Sequence, residues 1–129
     1  MNKAKFQNYA ITATYTGEKP AAWNSDNYNH HTVTVRNTET GRKTSFDFWA
    51  SIAHPVLESE YDIVNAFRCF VDDAISGGYT FEEFCQEFGY DTDSRTAERT
   101  WKACQRATKK LERLGGDPWE LISSLDDYA

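Results

Sequence analysis

TFEEFCQEFGYDTDSRTAERTWKACQ, residues 80–105, decides how the second half of this chain folds. Thr80 followed by Glu83 has the spacing of a capping box, in which a hydroxyl and a carboxylate each satisfy a backbone N–H at a helix start. Phe81, Phe84, Cys85 and Phe88 then recur at helical spacing and are expected to face inward, with Glu82, Glu83, Gln86 and Glu87 toward water. Gly89 fits the left-handed residue that ends a helix. Asp91 and Asp93 fall in the break, and Asp93 or Ser94 is placed to cap the next helix. Its apolar positions Ala97, Trp101, Cys104, Thr108 and Leu111 advance by four, three, four and three. That is the stripe of a long amphipathic helix, with Arg99, Lys102, Arg106, Lys109, Lys110 and Arg113 outside. As a calcium loop the segment fails: Arg95 would be the fifth residue, Thr96 the turn glycine and Lys102 the bidentate acid. DTDS reads as punctuation between helices.

The pattern extends in both directions. Upstream, Ile63, Ala66, Phe67, Phe70, Val71 and Ala74 form one apolar stripe that ends before Gly77 and Gly78. Downstream, Gly115 and Gly116 stop the long helix, and DPWELISSL starts another with Asp117 as cap, Pro118 at the first position and Glu120 at the third. The first half has a period of two. Tyr9, Ile11, Ala13 and Tyr15 alternate with polar or small neighbours, as do His31, Val33 and Val35, and then Phe46 and Phe48. Gly41 lies in a polar stretch between the last two runs, where a turn needs a left-handed residue. The link from Gly17 to Asn29 is polar and turn-rich, and its Trp23 and Tyr28 are expected to pin it to the body. These readings predict an α+β fold: a small three-stranded antiparallel sheet over about residues 5–50, followed by about four helices. One domain of 129 residues is expected, strand-rich over 1–57 and helical over 58–129.

Charge is informative in its distribution. Residues 58–93 carry ten acids against Arg68 alone, and residues 94–116 carry seven bases against two acids. The net charge is −6. A net acidic chain of this kind argues against direct nucleic-acid binding, which needs a basic footprint on phosphate. No apolar run is long enough to cross a bilayer, and the N-terminal residues lack the apolar core of a signal peptide. A cytoplasmic location with no membrane partner is the expectation. Cys69, Cys85 and Cys104 have no CxxC spacing and sit among apolar helical residues, so free, buried thiols are expected.

Few residues suggest catalysis. His30 and His31 are strand neighbours that point to opposite faces, and His54 precedes Pro55 in a connector, so no metal site is expected. The cysteines fall on apolar helical positions, and no G-x-S-x-G, glycine-rich phosphate loop or H-E-x-x-H occurs. Adjacent acids such as Asp72 and Asp73 on a helix face are ordinarily solvated. No catalytic residue, metal or cofactor is assigned. Surface recognition remains. Asp72, Asp73, Glu82, Glu83, Glu87, Asp91 and Asp93 are expected to form one acidic patch, flanked by Tyr79 and Tyr90 as anchoring aromatics. The basic face from Arg95 to Arg113 is the rival surface.

The run FEEFCQEFGYDTDSRTAERTWKACQ resembles one that recurs in small bacteriophage and prophage proteins of mostly unknown function. There it joins a strand-rich N-terminal half to a helical C-terminal half. The resemblance covers about residues 43 to 115, with FCQEFGYDTDSRTA its most specific part. It implies a phage origin, and host-takeover factors, anti-CRISPR proteins prominent among them, are common from such sources. The leading expectation is a non-enzymatic inhibitor that binds a bacterial defence nuclease complex, foremost a CRISPR effector, through an acidic surface inside the host cell. The alternatives are a phage accessory protein that binds another phage or host protein, and a small enzyme acting on nucleotides.

Overall fold

A computed structural model of the chain describes residues 2–21, 26–53 and 56–128. The chain divides into two compact units, Met1–Phe67 and Arg68–Ala129. The fold is α+β, but the sheet has four antiparallel strands where three were predicted. They are β1 (Asn2–Phe6), β2 (Tyr9–Pro20), β3 (Asn27–Asn37) and β4 (Lys43–Ala50), each hydrogen-bonded to the next in chain order. The unpredicted strand is β1. It is short, its inward positions Asn2 and Ala4 bring little apolar surface, and Lys3 and Lys5 alternate outward, as suits a sheet edge. Gln7 and Asn8 turn it back so that Phe6 pairs with Tyr9, with Gln7 at φ 52°. The Asn8 side-chain amide donates to Asn37 Oδ1 at 3.0 Å, tying that turn to the end of β3.

The second difference concerns the segment read as a link from Gly17 to Asn29. Most of it is strand: β2 and β3 stay paired as far as Pro20 and Asn27, leaving a short connection. Glu18, Lys19 and Pro20 are exposed, so both faces are polar there and the alternation that reveals a half-buried strand is missing. The register shifts between Tyr15 and Gly17, making Thr16 the extra residue of a bulge, and Gly17 takes φ 110°. Tyr28 lies within β3 opposite Lys19, whereas Trp23 and His54 fall outside the described residues.

The inward face of the sheet follows the predicted alternation. Tyr9, Ile11, Ala13, Val33, Val35 and Phe46 are buried, and Tyr15 at the end of its row is exposed. Residues 60–67 of α1 (Glu60–Ser76) belong to this unit and bring Ile63, Val64, Ala66 and Phe67 into its core. Phe67 meets Tyr9 and Phe6 at ring-centroid distances of 5.3 Å and 6.5 Å. His31, in the same row as Val33 and Val35, is fully buried, and its Nε2 accepts a hydrogen bond from the Leu57 N–H at 3.1 Å. Burial holds its pKa below the ordinary value, in keeping with a neutral ring that accepts at Nε2.

In the second unit, the rest of α1 is followed by α2 (Phe81–Phe88), α3 (Arg95–Leu114) and α4 (Pro118–Tyr128). Their ends are set by the residues the sequence marked. Thr80 and Glu83 make the capping box, Ser94 caps α3 through the Ala97 N–H, and Gly89 and Gly115 take left-handed φ values of 74° and 85°. Asp117 Oδ1 accepts from the N–H groups of Trp119 and Glu120 at 3.0 and 3.3 Å. Helix α3 comes close to the end of α1. Thr108 Oγ1 donates to the Ala74 carbonyl at 2.6 Å, and Trp101 Nε1 donates to the Tyr79 carbonyl at 2.9 Å. Phe70, Val71, Ala74, Ala107, Leu111, Leu121 and Leu125 are buried, and the three cysteines are free, Cys85 and Cys104 buried and Cys69 half-buried. No helix among the described residues is long and apolar enough to cross a membrane.

Gly77 permits the α3 contact. A Cβ built there would stand 2.2 Å from the Cys104 carbonyl oxygen and 2.4 Å from Thr108 Oγ1. A Cβ at the adjacent Gly78 meets the Ile75 carbonyl only at 3.2 Å. Gly77→Ala is therefore expected to destabilise the chain by at least about 1–3 kcal/mol, the usual penalty for forcing atoms into a packed site. Gly78→Ala should stay within about 1 kcal/mol of the parent. Urea unfolding followed by circular dichroism distinguishes the two, and equal midpoints would show that the approach at Gly77 constrains nothing.

Candidate partner-binding surface

The surface is built at the junction of α2 and α3. The capping box fixes the start of α2: Thr80 Oγ1 accepts from the Glu83 N–H at 3.2 Å, and Glu83 Oε1 accepts from the Thr80 N–H at 3.0 Å. That hydrogen bond lowers the Glu83 pKa, so its carboxylate is engaged in holding the helix. At the other end Gly89 reverses the chain and the Tyr90 N–H returns to the Cys85 carbonyl at 2.9 Å. Asp91 to Ser94 then form a turn closed at 3.0 Å by the Ser94 N–H on the Asp91 carbonyl.

This geometry displays two aromatic rings. Phe88, predicted to face inward, is 50% exposed, and Tyr90 is 38% exposed. Both rest on Phe84, which is buried beneath them, with centroid distances of 4.8 Å to Phe88 and 5.9 Å to Tyr90, the latter ring stacked at 11°. The apolar stripe of α2 is thus wider than the groove available to cover it. Helical spacing places Phe88 on the same side as Phe81 and Phe84, but Gly89 ends the helix immediately afterwards and leaves that ring at the rim. Periodicity reports which side a residue lies on and carries no information about where the covering element stops.

The predicted acidic set divides. Glu82, Glu87, Asp91 and Asp93 are exposed on α2 and the turn that follows it, and none makes an ion pair among the described residues. The basic helix face does not neutralise them; the ion pair on α3 is internal, Glu98 to Lys102 at 2.9 Å. Asp72 and Asp73 sit on α1 in a different setting. Arg68 Nε donates to Asp126 Oδ1 of α4 at 2.7 Å, and Arg68 also approaches Asp72 at 3.9 Å, so Asp72 belongs to a cluster that ties α1 to α4. Tyr79 is half-buried, with its carbonyl committed to Trp101. Glu82, Glu87, Tyr90, Asp91 and Asp93 are thus exposed on α2 and the turn after it together with the unpredicted Phe88, and Glu83 is engaged in the cap.

Other groups offer less. In the first unit, a cleft of about 400 Å³ at the end of β4 is lined by Phe48, Trp49, Leu57, Asp62 and Asn65, among others. Among the described residues, Asp62 is the one ionisable group that lines it, with no second such group there to form an acid–base pair. Burial pushes the Cys104 thiol up to about 11 and raises Cys69 and Cys85, which keeps all three protonated and weakly nucleophilic.

Asp73 is exposed on its helix face, as predicted, but its proton affinity departs from that of a solvated acid. Its carboxyl is pushed up to about 6, first by lost solvation and second by the Asp72 charge, even though the residue keeps an exposed portion. Because the folded value lies above the ordinary 3.8, the folded chain binds more protons between those limits. Stability attributable to Asp73 is then greatest below 3.8 and is lost as pH rises through about 6. Asp73→Asn should raise the urea midpoint at pH 7.5, with the gain trimmed by solvent screening of the exposed portion, and should lose its advantage below the acid limit. A gain that is the same at both pH values would contradict this reading.

No family model, curated protein or solved structure matches this chain, so the geometry of the α2–α3 junction carries the functional reading.

Proposed function

We propose that this chain inhibits by binding and not by catalysis: inside a bacterial host it occupies a basic surface of a defence nuclease complex, foremost a CRISPR effector. The observation that carries the reading is the exposed pair Phe88 and Tyr90, seated on buried Phe84, on a helix and turn that also expose Glu82, Glu87, Asp91 and Asp93. Exposed aromatics on a rigid base are the usual anchors of protein interfaces. Unneutralised carboxylates on the same helix and turn steer association toward a basic groove, and occupying such a groove denies it to nucleic acid. The resemblance of residues 81–105 to a run in phage proteins is the support for the host and the class of target. The binding surface lies within the second unit, and the reading needs no cofactor.

The test is capture of the tagged chain from a lysate of a host carrying the nuclease system, with a cleavage assay on the recovered complex. Loss of cleavage on stoichiometric addition is expected. Phe88→Ser with Tyr90→Ser should weaken binding by about 30-fold, equivalent to roughly 2 kcal/mol for an interface hot spot. Glu82→Lys with Glu87→Lys should slow association about tenfold at low salt and flatten its salt dependence. These reversals avoid Glu83, whose loss would also remove a helix cap. Lys109→Glu with Lys110→Glu on the opposite-charge surface should leave affinity unchanged. If only the lysine reversal abolishes binding, the basic face of α3 is the interface; recovery of a partner with full nuclease activity would select an accessory binding role instead.

A further inference from the structure

The outward face of the sheet holds a chain of polar groups that the binding surface does not use. Thr16 of β2, His30 of β3 and Asp47 of β4 lie across three adjacent strands. The Thr16 hydroxyl is hydrogen-bonded to His30 Nδ1, and His30 Nε2 stands 2.9 Å from Asp47 Oδ1. His30 is 8% exposed, and one side of its ring packs on Trp49 at a centroid distance of 4.3 Å. Thr16 is exposed because it is the extra residue of the bulge between Tyr15 and Gly17. Bulges re-aim side chains in this way and recur beside active sites. A structural role for His30 would be met by its bond to Asp47 alone. The bulge adds a solvent-facing hydroxyl on the other ring nitrogen, completing a hydroxyl–imidazole–carboxylate series whose members are recognised by geometry rather than by sequence order.

The geometry points to Thr16 as an acyl-accepting nucleophile, with His30 as its base and Asp47 as a positioning residue, acting on carboxylic esters that carry a good leaving group. In the neutral tautomer that fits this role, Nε2–H donates to Asp47 and the Nδ1 lone pair accepts from Thr16. The hydroxyl also lies 3.2 Å from the His30 carbonyl oxygen, its second acceptor. In the reaction, Thr16 Oγ1 bonds to the acyl carbon while its proton passes to His30 Nδ1. The tetrahedral intermediate collapses, the bond from acyl carbon to the leaving oxygen breaks, and that oxygen takes the proton from His30. The products are Thr16 O-acyl ester and a free alcohol or phenol, with no change of oxidation state. Water activated by the same imidazole then releases the acid and restores the hydroxyl. A secondary hydroxyl is crowded, which is why donors with weakly basic leaving groups are the substrates it accepts, and Trp49 offers an aryl or acyl group an apolar wall.

The experiment uses the intact chain and 4-nitrophenyl acetate. A burst of nitrophenolate approaching one equivalent is expected, with the acetyl group found on Thr16 by peptide mass spectrometry. Thr16→Val, which removes the hydroxyl at nearly constant shape, should reduce the burst to the buffer rate. His30→Gln should slow acylation about 100-fold, the lower end of what a positioned general base supplies. Asp47→Asn should slow it about tenfold, well short of the loss at a buried triad carboxylate, and Asp47→Glu should restore most of the rate. Asp47 is 64% exposed at its side chain, so these two variants keep the fold even if His30→Gln does not, and circular dichroism checks each. Thr34→Val, on the same face and bonded to Ser45, should leave the burst intact. A burst that persists in Thr16→Val, an acetyl group found only on lysines, or the absence of any burst would overturn the assignment.

Discussion

Gly77 is the point at which the helical unit is fastened. With no side chain there, the backbone of α3 at Cys104 approaches the end of α1 to a distance that a methyl group would occupy. That approach brings Thr108 within reach of the Ala74 carbonyl and Trp101 within reach of the Tyr79 carbonyl, so an orphan acceptor in the last turn of α1 and a carbonyl of the connector after it are both satisfied by side chains of α3. Phe81 then packs on Trp101 at 5.4 Å, and α2 is held from its first residue onward. The display of Phe88 and Tyr90 depends on this chain of contacts, because Phe84 supports them only while α2 is fixed.

The sheet unit is organised around two neighbouring histidines used in opposite ways. His31 points inward, where a buried neutral ring accepts from the Leu57 N–H and secures the connector that leads to α1. His30 points outward and has both nitrogens engaged, one by a carboxylate and one by a hydroxyl at a bulge. The alternation of a strand makes the two environments independent although the residues are adjacent. A side chain that stabilises a core and one with the means to move a proton occupy consecutive positions.

Much of the fold was legible because the chain marks its helix ends with groups that satisfy orphan backbone atoms. Thr80 with Glu83, Gly89, Ser94, Gly115 and Asp117 each act in the structure as their positions imply. The central strands were equally legible from His31, Val33 and Val35 beside Ile11 and Ala13. What escaped were features whose pattern is set by partners elsewhere in the chain. β1 offers Asn2 and Ala4 where a strand signal needs large side chains, and the ends of β2 and β3 are polar on both faces. Phe88 has the periodicity of a core residue and the exposure of an anchor, a distinction that depends on where the covering element ends. The Thr16–His30–Asp47 series was invisible because its members meet only through strand register and one inserted residue.

On the proposed function, a basic partner covers the aromatic and acidic surface at the α2–α3 junction. Hydrogen–deuterium exchange of the chain, alone and within the complex recovered from the host, tests it most directly. Slowed exchange is expected only at the amides of residues 81–94, with the exposed face of α3 over residues 99–113 unchanged. Protection of residues 99–113 with none over 81–94 would contradict it.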